Sequence, residues 1–185
     1  MLEHGLALLI FLGRAGDVLS TLYITPSMAL EMNPVARRFK WPAMLVGFGL
    51  CAIPYFDIQL AIIAAVPSLL VTASNLSKGW MARALGDKEV ERIVLRAASA
   101  GSLPVTLAMC WTSAAFFFVT AGALLWLARG EDQMVSSFAI GIGLYGAALL
   151  IHGTLFYVRV FRQAQLEANA AQQTAGKDVR QVARF

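Results

Sequence analysis

The chain is 185 residues long, 58% hydrophobic and only 14% charged, with a mean hydropathy of +0.66. A soluble domain is about half apolar and about a quarter charged, so composition excludes an ordinary soluble protein and leaves room for about four to six membrane spans. The net charge of +4 does not mark a nucleic-acid binder, because the basic residues fall in the pattern that orients membrane proteins.

The first apolar segment covers about 5–24 and carries Arg14, Asp17, Ser20 and Thr21. It does not read as a cleavable signal: Glu3 and His4 stand in place of a basic n-region, and Arg14 and Asp17 interrupt the apolar run. A charge within a span costs about 2.5–3.5 kcal/mol on insertion scales. Residues three and four apart share a helix face, so these four form one polar stripe that must face the bundle interior. Arg14 is the charge partner of Asp17. Two readings stay open: an ion pair that locks the helix to its neighbours, or one wall of a polar site.

Thr25-Pro26 and Asn33-Pro34 are both cap-plus-proline signals and predict two short helix starts. Glu31 is not explained by capping. Arg37, Arg38, Lys40 and Trp41 come next as an interfacial group. The apolar block 42–77 is too long for one span, and Pro54-Tyr55-Phe56-Asp57 predicts a turn within it. That gives a short second span over about 42–56 and a third over 58–80. The charged connection after it predicts an amphipathic helix over about 87–100, capped by Asp87, with Val90, Ile93, Val94 and Ala97 on one face and lying on the membrane surface. Ser102-Leu103-Pro104 starts a fourth span over about 103–127. A polar turn at 129–133 leads to a fifth span over about 135–161. The polar tail, 163–185, is expected to be cytoplasmic, and helical until it frays near Gly176.

With the N-terminus outside, every Lys and Arg except Arg14 and Arg129 falls on the inner side. The expected fold is therefore all-α: an integral membrane helical bundle of five transmembrane helices, N-out and C-in, with one interfacial helix. Cys51 and Cys110 lie in apolar runs without metal spacing and read as packing residues. Gly141-Ile142-Gly143-Leu144-Tyr145-Gly146 matches G-x-G-x-x-G but lies in a span, without the strand that a dinucleotide site requires. Ala139, Gly143 and Ala147, and likewise Gly13 and Gly16, instead suit close helix approach.

Measured along the spans, Asp17, Thr21, Asn75 and His152 fall in one layer of the inner leaflet. The candidate ligand-binding residues are Asp17, Ser20, Thr21, Glu31, Asn33, Asn75 and His152. Asp17, Glu31 and His152 are weak candidates for a divalent metal, and no cofactor is firmly implied. The expected function is binding, as an accessory subunit of a membrane complex or a small-ligand or lipid binder. The alternatives are a membrane-embedded metal-dependent hydrolase or lipid-modifying enzyme, and an ion-coupled transporter. Expected partners are the lipid bilayer and other membrane subunits or further copies of the chain.

Gly16-Asp17-Val18-Leu19-Ser20-Thr21, with Thr25-Pro26 and Glu31-Met32-Asn33-Pro34 after it, resembles an uncharacterised family of small bacterial and archaeal membrane proteins. Its members carry Asp-x-x-Ser/Thr-Thr on the first span and Glu-x-Asn-Pro after it. The resemblance covers roughly 10–80. It implies a fold type and a shared site, without an activity. The expected location is the bacterial or archaeal cytoplasmic membrane.

Overall fold

The computed structural model describes residues 1–24, 31, 33–129 and 131–182, and every regular element among them is helical. In chain order these are α1 (Leu2–Ile24), α2 (Pro34–Phe39), α3 (Trp41–Val46) running into a 3-10 helix (Gly47–Tyr55), α4 (Ile58–Leu85), α5 (Asp87–Ala100), α6 (Leu103–Ala128) and α7 (Gln133–Val182). The helix start expected at Thr25-Pro26 lies outside the described residues.

Short-range chemistry sets the ends. Asn33 caps α2, its Oδ1 accepting from the backbone N–H of Val35 at 2.9 Å and of Ala36 at 3.4 Å, with Pro34 as the first helical residue. Asp57 caps α4 through Leu60 N–H at 2.9 Å, so the expected break at Pro54–Asp57 is present. Asp132 caps α7, accepting from Met134 and Val135. Asp87 does not cap α5: it is already helical, and the cap is Gly86 at φ 81°, a conformation glycine takes without a side-chain penalty. α7 is helical to Val182, past Gly176 where fraying is expected from sequence.

Four helices are long and apolar enough to cross a membrane, over Leu2–Tyr23, Ile58–Ser77, Leu103–Ala128 and Gln133–Ala170. The second expected span is the shorter apolar element Trp41–Tyr55, of which nine residues are 3-10.

Side-chain pairs give the directions. Ile10 packs on Ala61 and Ala65, Gly13 faces Ser68, Gly16 faces Thr72, and the Arg83 guanidinium lies 4.6 Å above the Tyr23 ring. α1 and α4 therefore run parallel. The 3-10 helix runs back along α1: Tyr55 OH is 2.9 Å from His4 Nδ1, Phe48 meets Phe11, and Gly47 meets Arg14. α7 is parallel to α4, with Gln59 bonded to Gln133 and Val66 against Gly141. α6 is antiparallel to α7, with Trp111 donating to Thr154 and Phe117 edge-on to Tyr145. Thus α1, α4 and α7 point one way, and Trp41–Tyr55 and α6 the other.

Proline and glycine allow the α4–α7 approach. Pro67 has no N–H, so the Ile63 carbonyl lacks its usual helical donor. Gly141 sits on that carbonyl; a Cβ there would lie 3.2 Å from it and 2.8 Å from Val66 Cβ. α5 lies along the far part of α7, where Ala98, Val160, Phe161 and Ala164 form a buried cluster joined by Val94 and Leu95. Its inward face is Val90, Val94 and Ala98, at strict i, i+4, i+8 spacing, whereas Ile93 and Ala97 are exposed. The expected face is thus corrected by part of a turn.

Candidate functional site

The polar stripe of α1 meets a matching stripe on α4. Ser68, Thr72 and Asn75 are spaced four and three apart and share one face of α4. Gly13 and Gly16 bring the two backbones together; a Cβ at Gly13 would lie 3.0 Å from Ser68 Cβ, and one at Gly16 would lie 2.6 Å from Thr72 Cγ2. This is the small-residue packing that membrane helices use.

Arg14 reaches across to Ser68, donating to its Oγ from Nε at 3.1 Å and from Nη2 at 2.9 Å. Ser68 passes its own proton to the Ala64 carbonyl at 2.8 Å. The Arg14 side chain lies against Gly47, where an added Cβ would be 3.1 Å from Cδ and 3.3 Å from Nη1. Thr72 Oγ1 lies 2.7 Å from the Gly13 carbonyl and 3.0 Å from that of Ser68, its one proton shared between α1 and its own helix. Asn75 donates from Nδ2 to Asp17 Oδ1 at 2.9 Å. Asp17 Oδ2 is 3.7 Å from Arg14 Nη1, an ion pair beyond hydrogen-bond length. The two side chains are 15% and 22% exposed, so the pair is shielded but not sealed.

The other candidates divide. Ser20 is buried and donates to the Asp17 carbonyl of its own helix at 3.0 Å. Thr21 is buried beside it. Glu31 does have a local role: its Oε1 accepts from the Asn33 N–H at 2.8 Å, while Asn33 is occupied as a cap. His152 is not brought to them. It stands on α7, which packs on α4, α5 and α6, and it makes no hydrogen bond or ion pair among the described residues. No three His, Cys, Asp or Glu side chains among the described residues gather as a metal group, so Asp17, Glu31 and His152 do not form the metal centre considered from sequence.

Sequence reading missed Ser68, Thr72 and Gly47. The 68-72-75 spacing of polar residues within an apolar helix was a usable signal for the first two. Nothing marked Gly47, whose role depends on the return of the chain along α1.

The fold and this seam define the class: a helical bundle of membrane type, with a partly buried polar network between α1 and α4. Comparison with protein-family models, curated proteins and solved structures finds no match for the chain.

Proposed function

We propose that the chain is a five-pass membrane protein, N-out and C-in, that acts by binding through the Asp17–Glu31 end of the α1–α4 seam. Parallel packing of α1 and α4 supports five passes, since two parallel spans require a return crossing between them. Trp41–Tyr55 has the reach: six α-helical and nine 3-10 residues extend about 27 Å, close to the hydrocarbon thickness of about 30 Å. The basic residues support the orientation, and the exposed Trp80 and Trp126 suit opposite interfaces.

The observation that carries the binding role is the unequal use of Asp17. One oxygen is held by Asn75, and the other stands 3.7 Å from Arg14. A second carboxylate, Glu31, stands in the segment that follows α1. A partly balanced carboxylate inside a membrane attracts a positive group. The occupant is a cation, or an amine or guanidinium brought by a small ligand or a membrane partner, which fits an accessory subunit or small-ligand carrier.

Purification in mild detergent and then native mass spectrometry tests this reading. It expects a stable oligomer, a co-purifying partner or a bound small ligand, lost in Asp17→Asn while the helical content stays. A lone monomer with nothing bound in the unaltered chain would overturn it.

A further inference from the structure

A half-open cleft of about 220 Å³ lies where α2, α5 and α7 meet. Val94 and Leu95 of α5 and Phe156 and Val160 of α7 give it an apolar wall. Arg37 of α2, Glu91 of α5 and Arg159 of α7 bring charge to it. The site is separate from the Asp17 seam and does not depend on what that seam binds.

Three observations bear on its occupant. First, charge: two guanidiniums face one carboxylate, and Arg38, Arg92, Arg96 and Arg162 lie nearby along the same three helices. Second, Arg37 is half-buried, yet its guanidinium makes no hydrogen bond or ion pair among the described residues. The Asn33 cap fixes the start of α2, and this cation has no partner among the described residues. Third, location: the α7 sequence turns here from apolar to basic, with Arg159 lying 5.2 Å above the Phe156 ring. An apolar wall beside cations is the composition that suits a membrane interface.

We propose that this cleft binds the phosphate head group of an anionic phospholipid, with Arg37 and Arg159 on the phosphate and the acyl chains leaving along Phe156 and Val160. Guanidinium suits phosphate because its planar fork donates two parallel hydrogen bonds. Basic pockets between membrane helices on the cytoplasmic side are known to take anionic head groups. The volume is below the about 300–1,000 Å³ typical of drug-sized ligand pockets, so it admits a head group and not a whole lipid.

The test is native mass spectrometry of the full chain in neutral detergent, titrated separately with phosphatidylglycerol, phosphatidylcholine and inorganic phosphate. Phosphatidylglycerol should bind as a single retained lipid in preference to phosphatidylcholine. Arg37→Gln should weaken it about fivefold, the equivalent of about 1 kcal/mol per basic residue at an anionic surface. Arg37→Lys should lose less, and Glu91→Gln should tighten binding by removing the opposing charge. Arg38→Gln, next along the chain and outside the cleft, should weaken binding less than Arg37→Gln does. Equal retention of both lipids, equal effects of Arg37→Gln and Arg38→Gln, or inorganic phosphate binding as well as the lipid would overturn the proposal.

Discussion

The side-chain amide of Asn75 donates to Asp17 across the α1–α4 seam at 2.9 Å, pairing a residue of the first helix with one 58 positions later. This bond ties α1 to α4 and fixes one carboxylate oxygen, leaving the other to Arg14. A double-mutant cycle of Asp17→Ala and Asn75→Ala should show coupling near the about 0.6 kcal/mol average for interhelical hydrogen bonds in membranes, and below their maximum of about 1.7. Unfolding in mixed micelles measures it. Additive single losses would mean that the bond contributes nothing to the seam.

Gly16 and Thr72 give a steric test with a built-in rescue. An alanine Cβ at 16 would lie 2.6 Å from Thr72 Cγ2, and rotating Thr72 away would break its bond to the Gly13 carbonyl. Gly16→Ala should therefore cost about 1–3 kcal/mol, the usual cost of overpacking. Adding Thr72→Ser removes the methyl and keeps the hydroxyl, and should recover most of the loss in the same unfolding assay.

Arg14 and Asp17 should behave as a unit. Removing either alone leaves a shielded charge without its partner, which costs about 3–5 kcal/mol for a fully buried pair; partial exposure of both side chains places the loss below that range. The double replacement Arg14→Met with Asp17→Leu should be closer to wild-type stability than either single change. It should also abolish any binding that depends on Asp17, which separates stability from function.

Two glycines predict opposite outcomes. Gly141→Ala places a Cβ 2.8 Å from Val66 Cβ and 3.2 Å from a backbone carbonyl that cannot rotate away, so it should force α7 off α4. Gly122→Ala, with open space around it, should be neutral or stabilising. Thermal unfolding of the two variants side by side distinguishes them.

Local signals in the sequence translated well into structure where the chemistry was local. The Asn33 cap, the break before Asp57 and the amphipathic character of α5 each depend on a few neighbouring residues. The stripe from Arg14 to Thr21 was legible as interior-facing because charge is costly in lipid. Its partners were not, since Ser68 and Thr72 are common within apolar helices and gain meaning only when Gly13 and Gly16 bring them into reach. Depth along the spans put His152 level with Asp17, but depth carries no information about rotation or neighbours, and α7 packs on α4, α5 and α6. The second segment was legible as short and apolar, but not its 3-10 geometry, which gives Trp41–Tyr55 more reach per residue than an α-helix.

The central claim is that Trp41–Tyr55 crosses back beside α1, so that the Asp17–Glu31 end of the seam faces the cytoplasm. Single cysteines at positions 38, 56, 96 and 131, in a chain with Cys51 and Cys110 replaced by alanine, test it with a membrane-impermeant maleimide on intact cells. The account predicts labelling at Phe56 and Glu131 from outside, and at Arg38 and Arg96 only after permeabilisation. Labelling of positions 38 and 56 from the same side would contradict it.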